Sequence, residues 1–170
     1  MTAETAGAAA TEAGDDLAQA LDSRLRGRLV RPTDDDYDEA RLVWNGMVDK
    51  RPALIMRCAG VADVITAVSF ARERGLPVAV RGGGHNVAGS GVCDDGLVFD
   101  LSLMNSVRVD PGSGIVRAEG GVTIGDLDHE TQAFGLAVPM GVVTATGIAG
   151  LTLGGGLVGY AASTGSAPTT

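Results

Sequence analysis

The chain has 170 residues, enough for one domain or for part of a larger protein. It is 45% hydrophobic and only 4% aromatic, and its net charge of -8 with no basic run excludes nucleic acid and anionic membrane surfaces as obvious partners. Two cysteines, Cys58 and Cys93, make no disulfide framework, and each reads as a small buried hydrophobe. The Ala-, Thr- and Glu-rich N-terminus lacks the cationic start and apolar stretch of a secretory signal, so a cytoplasmic compartment is expected.

Glycine and charge are unevenly spread. Of 26 glycines, 20 follow residue 80, and no Asp, Glu, Lys or Arg follows Glu130. The second half therefore reads as loops, turns and close backbone approaches. Its uncharged end must be buried, bound or disordered.

In chain order, residues 1 to about 15 carry no periodicity and are expected to be disordered. Leu17, Leu21 and Leu25 recur at helical spacing, predicting a short helix over Asp16 to Gly27 that Gly27 could end. Leu29 and Val30 run into Arg31-Pro32, where regular structure stops. Asp34-Asp35-Asp36 could be a metal cluster but is expected to be a solvated first helical turn, with Tyr37, Leu42 and Val43 as a weak apolar face. Trp44-Asn45-Gly46 reads as a loop.

A strand is predicted over Ala53 to Cys58, then a helix with Val61, Val64, Ile65, Val68 and Ala71 on its apolar face. Arg72 and Arg74 suit its C-terminal end, and Gly75 its C-cap. The strand Leu76 to Val80 completes a β-α-β unit, so parallel strands and a right-handed crossover are expected. Arg81-Gly82-Gly83-Gly84-His85-Asn86 follows at that strand's carboxyl end, where open α/β sheets place ligands. Consecutive exposed N–H groups there form a nest for phosphate oxygens. Arg81 would add a positive charge, with His85 at the mouth. The competing reading is a tight turn in which His85 tolerates positive φ. The loop alone does not separate the two.

The loop continues to Gly91 and leads to a strand over Leu97 to Leu101. Ser106 to Val109 and Ile115 to Glu119 flank Asp110-Pro111-Gly112-Ser113-Gly114, a hairpin. Thr123 and Asp126 have capping-box spacing ahead of a helix whose apolar face is Ile124, Leu127 and Phe134. Gly135 closes it, and His129 falls off the face as a solvated residue. The segment Pro139 to Gly156 has three readings. Its uncharged length would permit a membrane span, but glycine is too dense. Gly154, Gly156 and Gly159 fit G-x-G-x-x-G, but neither an amphipathic helix nor an acidic residue follows. The preferred reading is a second backbone-rich wall facing residues 81–86.

Arg81 to Asn86, Gly89-Ser90-Gly91, Leu97 to Leu101, Glu119-Gly120-Gly121 and Pro139 to Gly156 together resemble one family. It is the PCMH-type FAD-binding domain of the vanillyl-alcohol oxidase / p-cresol methylhydroxylase superfamily, in its berberine-bridge-enzyme-like branch. The resemblance covers about Ala53 to Gly156. It implies an α+β fold of two small α/β subdomains with FAD between them, over residues 29–156 as a partial FAD-binding domain. Amides of Gly82, Gly83, Gly84 and Asn86 would cradle the pyrophosphate beside Arg81, and Ser90 and Gly91 would line the same loop. Pro139, Gly141, Thr144, Thr146, Gly147 and Gly150 would approach from the other side. His85 aligns with the histidine bonded covalently to the flavin ring methyl in many relatives. The implied reaction moves a hydride from a C–H bond of an alcohol, sugar or related small molecule onto flavin, with dioxygen as reoxidant. The implied partner is that small-molecule substrate, without nucleic acid, membrane or resident metal.

The family pattern breaks at Leu157. Relatives continue with glycine, an aromatic, arginine and a Cys-Asp motif, whereas this chain reads Leu157-Val158-Gly159-Tyr160 and ends at Thr170. Residues 157–170 are therefore expected to be a non-family, disordered tail of a truncated or frame-shifted product. The substrate domain and any catalytic base would be absent, which makes an FAD-binding fragment without turnover the alternative reading.

Overall fold

Four short apolar runs pair into one sheet whose inner strands bury side chains on both faces, while an outer strand leaves Val78 and Val80 exposed. The computed structural model describes residues 18, 19 and 21–156, so Leu17 and the 157–170 tail lie outside the described residues. The strands are β1 (Arg28–Val30), β2 (Leu54–Arg57), β3 (Val78–Arg81) and β4 (Leu97–Asp100), in the order β1-β2-β4-β3. β2 and β3 are each parallel to β4, with Leu54 and Val78 both opposite Leu97. β1 runs antiparallel on the outer side of β2. The β-α-β unit is thus parallel as expected, but β4 inserts between its two strands. Only long-range pairing could reveal that, since Leu97–Asp100 is the one four-residue run buried throughout. A fully buried strand belongs in the interior of a sheet.

Helix α1 spans only Tyr37–Ala40. Tyr37 is buried, Val43 packs partly, and Leu42 is exposed, so the expected three-residue face does not form. Of the acidic run, Asp36 is engaged by the Arg28 guanidinium through two 2.7 Å bonds. Helix α2 spans Val61–Arg74 and ends at Gly75 in the left-handed region (φ 63°), as expected for a C-cap.

The buried face of α2 is not the expected valine stripe. Asp63, Ala67, Phe70 and Ala71 are buried, with Val64 partly so, whereas Val61, Ile65 and Val68 are exposed. Two side chains set this rotation. Phe70 carries the largest apolar area on the helix, and Arg74 covers its ring with the guanidinium carbon 4.3 Å from the centroid. Asp63 is drawn inward because its carboxylate accepts three backbone bonds, from Arg26 (3.0 Å), Gly27 (3.0 Å) and Ala59 (2.8 Å).

Burial pushes the Asp63 carboxyl pKa up, but those three N–H donors outweigh it and hold it below the usual aspartate value. Its stabilisation is therefore full above about pH 4 and is lost as pH falls through the lower folded-state value. Asp63→Ala would strand three N–H donors, so it is expected to cost about 3 kcal/mol. Comparing urea denaturation of this variant and wild type at pH 7 and at pH 3 should show the gap narrowing in acid.

The same contact explains Gly27. The first helical stretch is already a turn by Ser23, and Gly27 is not its cap. A Cβ at Gly27 would collide with the Arg57 carbonyl oxygen, so glycine is required where the chain crosses β2.

Strands β5 (Val107–Asp110) and β6 (Ile115–Ala118) form the expected antiparallel hairpin. Asp110 Oδ1 accepts from Gly112 and Ser113, which pins its turn. Helix α3 (Ile124–Gln132) opens with a complete capping box between Thr123 and Asp126. Ile124 and Leu127 are buried as expected, and His129 is exposed. Phe134 is not on that face. It lies past the helix end and is exposed, and Thr131 is buried instead, its hydroxyl donating to the Leu127 carbonyl at 2.9 Å. Helix α4 (Ile148–Leu153) follows from Gly147.

Three clusters make the core. One lies between the sheet and α2 around Leu54, Met56, Phe70, Leu97 and Phe99. A second covers the opposite sheet face around Val30, Tyr37, Ile55 and Val98. The third joins the hairpin, α3 and α4 through Val122, Ile124, Leu127 and Ile148. The fold is α+β, a sheet lobe with a core on each sheet face and a hairpin-helix lobe with its own. No helix among the described residues is long and apolar enough to cross a membrane. The G-x-G segment follows a helix rather than a strand, which removes the context a dinucleotide fingerprint requires; Gly159 lies outside the described residues.

Candidate functional site

β3 and β4 both end at the same edge of the sheet, and their last residues pair. Arg81 and Asp100 are register partners at the carboxyl ends of the two strands. Arg81 Nη2 donates to Asp100 Oδ2 at 2.8 Å and to the Ala40 carbonyl at 2.6 Å, and Nη1 donates to the Leu42 carbonyl at 3.1 Å. Arg57 stands 3.7 Å from the same Asp100 oxygen. The Arg81 guanidinium is therefore committed to the protein. The expectation that it adds a positive charge to the glycine nest is corrected: a 7%-exposed arginine is stable only when paired, and Asp100 pairs it.

Beyond Arg81 the chain leaves the sheet. Among the described residues no acceptor is found for the N–H groups of Gly82, Gly83, Gly84, His85 and Asn86. Of these glycines only Gly84 has a positive φ, 68°. His85 does not, so tolerance of that conformation is not why a histidine stands there. Asn86 Oδ1 accepts from the Ser90 amide at 3.1 Å and shapes the turn that follows.

The second lobe meets this loop at Gly147. A Cβ on Gly83 would fall on the Gly147 amide nitrogen, 2.8 Å from Gly147 Cα and 2.9 Å from the Ala145 carbonyl oxygen. A Cβ on Gly147 would collide in turn with the Gly83 amide nitrogen. The wall carrying Gly147 is tied to α3: Ile124 N–H donates to the Thr146 carbonyl at 2.9 Å and Gly125 N–H to the Thr144 carbonyl at 2.8 Å.

Between the two walls lies a cleft of about 330 Å³, in the range of small-molecule sites. Arg81 to Asn86, Ser90 and Gly91 line one side, and Thr146, Gly147, Gly150 and Leu151 the other, with Val80 at the base. The two remote segments are thus brought together. Pro139, Gly141 and Thr144 are not among the lining residues. Gly141 sits behind the wall against Ile124 and Leu151, while Pro139 and Thr144 are exposed. Among the described residues no carboxylate lines the cleft, so an anionic group there would meet amide donors and no like charge from them. Glycine at 83 and 147 lets the two walls touch main chain to main chain, and the N–H groups of residues 82–86 beside that contact, without acceptors among the described residues, fit a diphosphate-bearing group.

Sequence reasoning missed two residues of this site. Asp100 ends an apolar strand just as Arg81 does, and that parallel was the available signal. Trp44 was read as part of a loop. Its indole stacks on the His85 imidazole, with centroids 5.4 Å apart and planes 21° from parallel. Its standing as the only tryptophan, set directly before the loop-forming Asn45-Gly46, was the signal.

Comparison with known proteins agrees with this geometry. Residues 52–166 match the family described as FAD binding domain. The chain is 41% identical over 133 residues to (R)-6-hydroxynicotine oxidase of Paenarthrobacter nicotinovorans, covering 78% of this chain and 29% of that protein. It is also 41% identical over 134 residues to an FAD-linked oxidoreductase of Dictyostelium discoideum, again with 78% and 29% covered. Among solved structures, 6-hydroxy-D-nicotine oxidase from Arthrobacter nicotinovorans superposes with a TM-score of 0.73 at 40% identity, over 75% of this chain and 28% of that one. BBE-like 1 of Physcomitrella patens gives 0.74 at 28% identity, over 81% and 30%. The chain thus spans under a third of the length of these relatives. With two glycine walls enclosing one cleft and more than half its residues matched, the chain belongs to the FAD binding domain family.

Proposed function

We propose that the cleft holds FAD, with its pyrophosphate on the amides of Gly82, Gly83, Gly84 and Asn86, as part of an oxidoreductase acting on a small molecule. Ser90 and Gly91 continue that wall. Thr146, Gly147 and Gly150 form the facing one, with Pro139, Gly141 and Thr144 shaping it from outside the cleft. The observation that carries the reading is the contact of Gly83 with Gly147, which opens bare main chain from two remote segments onto one cleft with His85 at its mouth. FAD supplies the hydride acceptor: a C–H bond of an alcohol, sugar or related substrate gives up its hydride and dioxygen receives the electrons. The hydroxynicotine in the names of two similar oxidases supports a small-molecule substrate.

His85 is the proposed covalent anchor. The bond joins an imidazole nitrogen to the flavin ring methyl carbon. His85 would give up its N–H proton to form this bond, and FAD, with dioxygen as its reoxidant, would supply the two-electron oxidation that the bond requires. An FAD-binding portion without turnover is the second reading, favoured because the chain spans 29% of its curated relatives. Substrate-driven oxygen uptake by the 170-residue chain separates the two.

The purified chain is expected to be yellow and to keep its colour after acid denaturation. His85→Ala should lose all denaturation-resistant flavin while still binding FAD reversibly. Absence of flavin binding in the wild type would overturn the cofactor assignment, and denaturation-resistant flavin in His85→Ala would overturn the anchor.

A further inference from the structure

We propose that Trp44 is a positioning residue for His85, holding the imidazole in one orientation at the cleft mouth; its consequence for flavin capture rests on the reading of His85 as the anchor. Trp44 is 64% exposed although it is the only tryptophan in the chain, and it belongs to no core cluster among the described residues. Large aromatic side chains usually bury their area, so an exposed indole whose ring meets one other ring is placed for that ring.

The backbone beneath it is built to keep it there. The segment 40–45 straps the glycine loop at four points. Arg81 holds the Ala40 and Leu42 carbonyls, Trp44 N–H donates to the Gly84 carbonyl at 3.1 Å, and Asn45 Nδ2 donates to the Val87 carbonyl at 2.8 Å. The buried Arg81–Asp100 pair thus anchors the strap, and the strap carries the indole over the imidazole.

An unheld imidazole samples roughly three χ1 wells and about two χ2 orientations, so one productive orientation is occupied about a sixth of the time. Stacking that selects it raises the rate of any reaction at a ring nitrogen by up to about sixfold.

The test uses the 170-residue chain as wild type, Trp44→Ala and Trp44→Phe. Proton NMR of the two histidine rings reads the stack directly, because the indole ring current shifts His85 and not the exposed His129. In Trp44→Ala the His85 ring protons should move to the positions of His129, and in Trp44→Phe they should stay displaced. Covalent flavin capture, followed in time after FAD is added, should slow about fivefold in Trp44→Ala and recover most of its rate in Trp44→Phe. Thermal midpoints should stay within a few degrees, since an exposed side chain is removed. Unchanged His85 resonances in Trp44→Ala would overturn the proposal, as would an unchanged capture rate. If the wild type captures no flavin covalently, the anchor reading fails, and the ring shifts alone decide whether Trp44 holds His85.

Discussion

Replacing Gly83 with alanine is expected to weaken FAD binding by at least about 100-fold, equivalent to about 2.7 kcal/mol, and to cost the apo fold about 2–3 kcal/mol. The reason is steric. The added methyl would meet the Gly147 amide, with Gly147 Cα at 2.8 Å and the Ala145 carbonyl oxygen at 2.9 Å, where carbon contacts need about 3.5 Å. All three atoms are main chain, so no rotamer change can relieve the clash. The 145–147 segment must move away, and it carries the Thr146 carbonyl that accepts from Ile124 and the bridge between Thr123 and Gly147. Gly84→Ala is the informative contrast. There the nearest atom to a new Cβ is Arg81 Cδ at 3.5 Å, so the cost is that of φ 68°, about 1 kcal/mol, with the walls left in contact. Calorimetric titration with FAD and thermal unfolding of both variants check this. Wild-type FAD affinity in Gly83→Ala would show that the two walls do not act as one surface.

Asp100→Ala should be strongly destabilising, costing about 3–5 kcal/mol. It leaves the Arg81 guanidinium 7% exposed, with only the Ala40 and Leu42 carbonyls for partners. Removing one member of a buried pair strands the other, which is worse than never having built the pair. Arg81→Met is expected to cost less. Asp100 keeps Arg57 at 3.7 Å and the Ser102 amide at 2.9 Å, but the strap over residues 40–45 loses two of its four fastenings. Denaturant unfolding ranks the two variants. The His85 ring shifts in Arg81→Met report whether the loosened strap still holds Trp44 in place. Equal stability of Asp100→Ala and wild type would mean that the pair does not hold the edge of the sheet together.

What the sequence by itself determined is the set of turns and caps made by side chains a few positions from the backbone they hold. The hairpin around Asp110 to Gly114, the capping box of Thr123 and Asp126 and the C-cap at Gly75 were legible because each is a contract between residues a few positions apart. The glycine run after an apolar strand, and its resemblance to a family with a second glycine-rich wall, located both sides of the cleft. Tertiary structure decided three other matters. It set the rotation of α2, because the pull of Phe70 and Asp63 on the sheet outweighs a stripe of valines that propensity alone would bury. It placed β4 between β2 and β3, because pairing partners separated by tens of residues leave no local periodicity. And it turned Arg81 from a phosphate ligand into the keystone of a buried pair with Asp100. A charge at the edge of a core is assigned by whichever opposite charge the fold delivers within hydrogen-bonding distance, and the linear order of residues does not state that distance.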